Sequence, residues 1–335
     1  MKQTTKKILI TLAIIAATAG VVTGGYFLGH YLWSMPTNST TENPINKNPL
    51  CGDGVCQKIE EIKNLCPDDC ANTAVNNQSK NEKITENKNQ NYAGFVVIHM
   101  EPGTGVQEQK NLTNPQTYWP NLVDLVTAAD KYEIKLTLLF NPQWAEYILQ
   151  DQKKLSLLRS WETNGHEIGY HQHGPQAHGM NYWNGYTNQT AYQNRPQYQG
   201  TINDAMNLLI QLPADGKIYT AGVAAEEDRK YDWPTGVPYR VDGAADGAVG
   251  SIKQETVMGQ NILFLQHQIF IPEGENAITF EEAEKEMAAM KDGEYFGLVF
   301  HAHNFTSDTK DDYEELFNLL SKNLVIKAVK NILGN

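Results

Sequence analysis

The sequence GHEIGYHQHGPQAHG, residues 165–179, contains four of the chain's nine histidines: His166, His171, His173 and His178. Each imidazole has two ring nitrogens that need partners, so a group this dense is unusual in a packed core, whereas a transition metal satisfies one nitrogen of each ring. A solvated histidine-rich loop is the alternative. A second histidine pair, His301 and His303, follows another apolar run far downstream. The two groups together favour a metal site.

Around this stretch, apolar runs alternate with amphipathic stretches from residue 92 to the end of the chain. Nearly continuous apolar runs are typical of parallel strands buried on both faces, and their alternation with helices requires right-handed crossovers. Six or seven such units favour a closed barrel over an open sheet, so we predict an α/β fold with a closed barrel over residues 92–335. The predicted strands are residues 94–100, 134–140, 166–171, 217–223, 261–267 and 296–303.

Helical patterns lie between these runs. A shared apolar face predicts one helix around residues 122–129, formed by Leu122, Leu125, Val126 and Ala129. Thr279 and Glu282 have the spacing of a capping box, for a helix that ends by Gly293. The last helix is predicted to begin near Asp308 and to run towards Leu333.

Polar side chains follow almost every predicted strand, at the end where the loops of such folds bind ligands. Because these strand ends meet on one side of the domain, we expect the side chains to converge. His99 would share a face with Glu101, which makes it a further candidate, whereas His166 lies at the other end of its strand and is interpreted as structural. The residues concerned are Glu101, Asn141, His171, His173, Glu226, Glu227, Asp228, His267, His301 and His303.

The segment GHEIGYH resembles the GHEIGxH segment of the polysaccharide deacetylase family, which belongs to a superfamily of seven-stranded β/α barrels that also contains glycoside hydrolases. The likeness extends loosely from residue 92 to the C-terminus. It implies a distorted (β/α)7-type barrel. It also implies a divalent metal, usually Zn²⁺ with Co²⁺ or Ni²⁺ as alternatives, whose water attacks the acetyl group of an N- or O-acetylated sugar. The implied metal ligands are Glu101, His171, His173, His178 and His301, and the implied catalytic residues are Glu101, Asp228 and His303.

The chain departs from the family pattern at three places. The family has paired aspartates in a TFDDG-like segment, but this chain has IHMEPG, so Glu101 replaces either the ligand or the base. The second family histidine falls on Pro175, so that His173 or His178 must substitute. The family's Arg-Pro-Tyr segment has no recognisable counterpart, and residues 237–240, VPYR, match it only weakly. Asp228, beside Arg229, is the alternative base.

Aromatic residues after the histidine cluster, Tyr182, Trp183 and Tyr186, either stack on a sugar ring or serve ordinary loop packing. Together with Asn141 they are the candidate substrate-binding residues. We therefore expect a metal-dependent hydrolase that removes acetyl or other acyl groups from polysaccharide. The alternatives are a glycan- or metal-binding surface module that has lost hydrolysis, and a glycosidase that uses Glu101 with Glu227 or Asp228.

Residues 8–33 contain no charged side chain and are long enough to span a bilayer. Lys2, Lys6 and Lys7 precede them, which predicts a single-pass anchor in the cell membrane over residues 1–33, with a cytoplasmic N-terminus and an extracellular catalytic domain. A signal peptide cleaved around residues 16–20 is the alternative. Residues 34–50 and 71–91 are polar and are interpreted as linkers.

All four cysteines, Cys51, Cys56, Cys66 and Cys70, lie within residues 51–70. So short a module outside the membrane predicts two disulfides, and its acidic residues suit Ca²⁺ better than a zinc–thiolate site. The stretch resembles small CGDGxC…CPxDC modules of secreted prokaryotic proteins. The net charge of −12 and the absence of a Lys/Arg cluster argue against nucleic acid or an anionic membrane surface as a partner and leave neutral or cationic ligands open.

Overall fold

The structure is a computed structural model that describes residues 92–101, 113–176, 180, 183–223, 225–243, 247–270 and 277–334. The predicted membrane anchor, the linkers and the cysteine module lie outside these residues, as do His178 and Tyr182. Within the described ranges, no helix combines the length and the apolar character needed to cross a bilayer.

Seven parallel strands close into a barrel in the order β1-β2-β3-β4-β5-β8-β9, because β9 pairs with β1 from Ala93↔Tyr295 to His99↔His301. This confirms the predicted seven-stranded α/β barrel. Two short antiparallel strands, β6 and β7, extend the sheet beside β9 and β8. The strands are β1 Ala93–His99, β2 Leu136–Phe140, β3 Glu167–Gln172, β4 Thr220–Val223, β5 Tyr239–Gly243, β6 Val249–Ser251, β7 Lys253–Val257, β8 Gln260–Ile269, β9 Glu294–His301 and β10 Val325–Ile326.

The helices pack on the outside of the barrel and connect its strands. The predicted apolar face of α1 is buried against the strands. The predicted capping box begins α6, where Thr279 Oγ1 accepts from the backbone N–H of Glu282. The helices are α1 Thr113–Lys131, α2 Pro142–Leu149, α3 Gln152–Thr163, α4 Ile202–Leu209, α5 Glu226–Asp232, α6 Phe280–Ala289, α7 Lys310–Asn323 and α8 Val329–Leu333.

The barrel interior has its own small apolar core. Alternate residues of the strands point inward, and Phe95, Leu139 and Leu265 form one cluster with residues of α8. Gly297 keeps room for Phe95, since a Cβ at Gly297 would lie 2.3 Å from the Phe95 ring. The helix α8 therefore covers the floor of the barrel, while the opposite end, where the strands terminate, forms its mouth.

The barrel floor also contains one buried carboxylate. Glu167 Oε1 accepts from Thr220 Oγ1 at 2.6 Å, and Oε2 accepts from the backbone N–H of Lys330 at 2.8 Å and from Thr137 Oγ1 at 3.2 Å. Burial raises the pKa of Glu167, and the hydrogen bond from Thr220 opposes that shift. These contacts attach α8 to the beginnings of the three strands β2, β3 and β4.

Two expectations for the secondary structure are corrected. The strand β5 was not predicted, because its sequence YRVDG has few aliphatic residues. Arg240 and Asp242 on its outer side join an ion-pair network instead of packing under a helix. The predicted last helix is also interrupted, since Leu324 is extended and β10 pairs with β1. The helix α7 ends at Asn323, and the short α8 follows as a separate element.

Candidate metal centre

Imidazoles from four strands point into the barrel mouth. His99 ends β1, His171 lies near the end of β3, His267 lies on β8, and His301 ends β9. Glu101 and His173 each come two residues after a histidine on an extended segment, so they share that histidine's side of the sheet. Among the residues that the structure describes, the mouth therefore collects the Glu101 carboxylate and five imidazoles.

Glu101 is the centre of this group. Its Oε1 lies 3.0 Å from His171 Nε2 and 3.4 Å from His301 Nε2, and its Oε2 lies 3.0 Å from His173 Nε2. The Nδ1 atom of His99 is 4.0 Å from Oε1. The carboxylate is thus surrounded by nitrogens from three strand ends. Donor atoms of His99, Glu101 and His171 all lie within 4.8 Å of one another.

Ring contacts show how closely the imidazoles are packed. The rings of His99 and His171 are stacked, with centroids 3.9 Å apart. His99 meets His267 edge-on at 5.6 Å and His301 edge-on at 5.5 Å. The rings of His171 and His173 are 4.6 Å apart.

The electrostatics favour neutral imidazoles beside an ionised carboxylate. Burial lowers the pKa of His171 to about 4, although Glu101 opposes that shift. Burial also lowers the pKa of His267 to about 3 and holds the pKa of His99 well below its ordinary value. The pKa of Glu101 is well below its usual range, because the polar His173 and His171 rings beside it and the hydrogen bonds from their N–H groups outweigh its burial. Neutral imidazole and ionised carboxylate are the protonation states in which these groups bind a metal.

Several buried ring nitrogens of the mouth have no hydrogen-bond partner: His99 Nε2, His171 Nδ1 and both nitrogens of His267. Buried polar atoms are normally paired, and leaving one unpaired costs about 1–3 kcal/mol. A transition metal would satisfy such nitrogens, and carboxylate with imidazole is a donor set that zinc-like ions prefer. The residues of the mouth therefore fit a divalent transition metal.

His303 and His166 occupy different places relative to this centre. His303 lies on a short 3-10 helix, Ala302–Asn304, with its ring 5.3 Å from His301 and 5.7 Å from Tyr118. It is half-buried at the rim of the mouth. His166 is at the opposite end of β3, where its Nδ1 accepts from the Leu136 backbone N–H and its Nε2 contacts Asp130. That placement agrees with a structural role.

Three of the expected substrate-binding residues, Asn141, Trp183 and Tyr186, are buried. Asn141 is buried as the N-cap of α2, where its Nδ2 donates to the Met100 carbonyl and its Oδ1 accepts from the Trp144 backbone N–H. Both ends of its amide are thus engaged. Trp183 is fully buried and its Nε1 donates to the carbonyl of Tyr186, which is also buried. Packing within the loop, not stacking on a sugar, accounts for these two aromatic residues.

Asp228 is a buried residue of α5. Its carboxylate accepts from the backbone N–H of Gln176 and from Gln189 Nε2. It also lies against Gly174, where a Cβ would come within 2.3 Å of its carboxyl carbon. Asp228 thus anchors the turn that follows His173. Arg229, its neighbour in sequence, pairs with Asp242.

Sequence reasoning underrated two residues of the mouth. His99 was a secondary candidate, and His267 was noted at a strand end without a role. The sequence signal for both residues is their position at the end of an apolar run. GFVVIH ends at His99 and NILFLQH ends at His267, as FGLVFH ends at His301. What the sequence could not show is that β8 lies directly beside β9 and β9 beside β1.

Comparisons with known proteins identify similar structures at low identity. No family model matches the chain, and no curated protein matches it. A protein assigned as a polysaccharide deacetylase from Mycobacterium smegmatis is 14% identical over 73% of this chain and 90% of its own, with a TM-score of 0.47.

Two other solved structures are similar to a lesser degree. A 4-alpha-glucanotransferase from Thermococcus litoralis is 12% identical over 73% of this chain and 40% of its own, with a TM-score of 0.43. A family 4 acetyl xylan esterase from Clostridium thermocellum, in complex with a cobalt ion, is 14% identical over 72% of this chain and 90% of its own, with a TM-score of 0.34. The function is therefore inferred from the residues of the site itself.

Proposed function

We propose that this chain is a metal-dependent hydrolase that removes acetyl or other acyl groups from glycans. The observation that carries the proposal is the Glu101 carboxylate at the barrel mouth, within 3.4 Å of Nε2 atoms of His171, His173 and His301. Hydrolytic zinc sites combine histidines with a carboxylate and keep one position open. The likeness of GHEIGYH to the deacetylase segment supports an acylated sugar as the substrate.

In this proposal Glu101, His171 and His173 hold the ion. A divalent metal bound there would polarise the acyl carbonyl and lower the pKa of water, which is the chemistry it supplies to hydrolysis. The Nε2 atoms of His171 and His173 already face the two oxygens of Glu101, at 3.0 Å each, so the three groups converge on one place. The apolar wall of the barrel below the mouth limits access of bulk water to these groups, which strengthens their electrostatic interactions.

Cleavage of an acyl group also requires a proton for the departing sugar oxygen or nitrogen. We assign this role to His303, because it lies at the rim beside His301 and is half-buried, whereas His171, His173 and His267 are buried. Its contact with the Tyr118 ring would restrict the orientation of its imidazole. The group that donates the proton would thus approach from the rim, on the side from which a bulky glycan can enter.

A second candidate function is a glycan- or metal-binding module without hydrolysis. It is favoured by the sharing of one carboxylate, Glu101, among His171, His173 and His301. A carboxylate that binds the ion is poorly placed to take a proton from water as well. Metal binding together with glycan affinity, but without acyl release, would favour this candidate.

The direct experiment measures acetate released by the full chain from acetylated chito-oligosaccharides and acetylated xylan. The protein is treated with a chelator and then supplied with Zn²⁺ or Co²⁺. We expect release that depends on the added metal, that is lost in Glu101→Ala and that is retained in Glu284→Ala, which removes an exposed carboxylate from α6. A barrel that binds no metal at its mouth would refute the proposal.

We also propose that the hydrolase acts at the outer face of the cell membrane on surface or environmental polysaccharide. The uncharged residues 8–33 and the four cysteines of residues 51–70 support this location. Protease treatment of intact cells should remove the barrel, while residues 1–7 stay protected. Recovery of the whole chain from the cytosolic fraction would contradict the proposed location.

A further inference from the structure

The barrel mouth contains more metal-binding groups than one ion uses. A catalytic zinc has three protein ligands and one open position. If Glu101, His171 and His173 fill that set, His99, His267 and His301 remain in the same mouth. These three histidines come from the neighbouring strands β1, β8 and β9.

The stacking of His99 on His171 separates the imidazoles into two groups. Two imidazoles on one tetrahedral ion, with metal–nitrogen bonds of about 2.0–2.1 Å, have ring centroids roughly 5 Å apart. The rings of His99 and His171 are nearly parallel and only 3.9 Å apart. They are therefore too close, and too nearly parallel, to share one such ion in this arrangement.

His99 fits better with the histidines of β8 and β9. Its ring centroid lies 5.6 Å from that of His267 and 5.5 Å from that of His301, and both contacts are edge-on. These separations match imidazoles arranged around a common ion, given the bond lengths above. His99 therefore contacts one imidazole from each of the two strands β8 and β9.

His267 is the least explained residue of the mouth. Only 2% of it is exposed, and no other residue makes a hydrogen bond to either of its ring nitrogens. The buried Nε2 of His99 is also unpartnered. A histidine kept in a core for structural reasons is normally hydrogen-bonded, as His166 is. An unpaired imidazole in the barrel interior is costly unless something else binds its lone pair.

We propose that His99, His267 and His301 form a second position for a divalent transition metal, next to the ion held by Glu101, His171 and His173. The inference rests on the proposed function, which supplies the first ion. Glu101 joins the two positions, because its Oε1 lies between His171 Nε2 at 3.0 Å and His301 Nε2 at 3.4 Å. Paired ions in hydrolytic enzymes are about 3.5–4 Å apart and are commonly bridged.

The test counts the metal ions bound by the full chain after chelator treatment and loading with Zn²⁺ or Co²⁺. The cysteine module is present in every variant and could bind metal itself. The number of ions bound in the barrel is therefore the wild-type count minus the count for a triple variant that combines Glu101→Ala, His171→Ala and His301→Ala. We expect the wild type to hold two more ions than that chain, and His267→Phe and His267→Gln to hold one more. Leu265→Val, which removes one methylene two residues earlier on β8, should keep both ions.

The unfolding temperature measured in chelator distinguishes a metal ligand from a structural residue. If His267 had a structural role, its replacement would lower the unfolding temperature of the metal-free protein. A phenylalanine of similar shape should leave the metal-free protein as stable as the wild type or more stable, because it replaces unpaired polar atoms. Equal metal counts in the wild type and both His267 variants would overturn the second position and leave the first intact. A wild type that holds no more metal than the triple variant would refute the proposed function as well.

Discussion

The Nε2 atom of His171 lies 3.0 Å from the Oε1 atom of Glu101, although 70 positions separate the two residues in the chain. Closure of the barrel brings them together, because both follow inward-facing positions at the ends of parallel strands. The closeness of His173 and His171 holds the pKa of Glu101 well below its usual range, although the depth of the mouth opposes ionisation. The site is therefore a consequence of the strand order and not of a local motif.

Substitution of Glu101 should reduce metal binding before it affects anything else. In Glu101→Ala the imidazoles lose the anionic ligand between them, so we expect at least a 100-fold weaker affinity for Zn²⁺ and loss of acyl release. Glu101→Gln should have an intermediate affinity. Competition with a chromophoric chelator measures the change. A Glu101→Ala chain that keeps wild-type affinity but loses about 100-fold in turnover would identify Glu101 as a base instead.

His166 should be important for stability but not for the metal. In His166→Ala the backbone N–H of Leu136 loses its buried acceptor and Asp130 loses a partner. We expect the free energy of unfolding to fall by about 1–3 kcal/mol, with the metal content of the folded protein unchanged. Urea unfolding and metal analysis of the same sample measure both quantities. Loss of metal from folded protein would place His166 in the site.

Much of the fold was predictable because it depends on burial. The strands β1, β2 and β9 are apolar on both faces, since one face lines the barrel and the other packs under helices. The strand β5 was missed because only Tyr239 and Val241 point inward, while Arg240 and Asp242 join charges of α5 and β7. A strand whose outer face is polar lacks the continuous apolar run on which prediction relies.

The part of the candidate site that depends on which residues end a strand was predictable from the sequence. The part that depends on which strands are neighbours in the sheet was not. Glu101, His171, His173 and His301 follow from the rule that side chains at the ends of parallel strands converge. The grouping of His99 with His267 requires β8 to lie beside β9 and β9 beside β1. Strand order is a long-range property, and two antiparallel strands interrupt the chain between β5 and β8.

Asn141 should act as a helix cap. In Asn141→Ala the first turn of α2 loses its side-chain acceptor and the Met100 carbonyl loses a donor. We expect the unfolding free energy to fall by about 1–2 kcal/mol, with KM for an acetylated oligosaccharide unchanged. Steady-state kinetics below the unfolding temperature check the second part. A several-fold increase in KM without loss of stability would restore Asn141 as a substrate-binding residue.

Glu167 should make stability depend on pH at the barrel floor. Burial raises the pKa of this carboxyl in the folded protein above the unfolded value of about 4.3. Between these two pKa values the folded state retains a proton that the unfolded state has lost, so stability should fall as pH rises through this window. Glu167→Gln cannot titrate and should lack this component. Urea unfolding of both proteins from pH 4 to 7 tests this, and parallel curves would contradict it.

The central claim is that Glu101 and the histidines of the barrel mouth bind a transition metal. Anomalous diffraction at the zinc absorption edge, from crystals of the full chain grown with Zn²⁺, tests it most directly. We predict an anomalous peak about 2.0–2.2 Å from an oxygen of Glu101 and from a ring nitrogen of His171. A mouth without an anomalous peak, in which His171 still donates its hydrogen bond to Glu101, would contradict the claim.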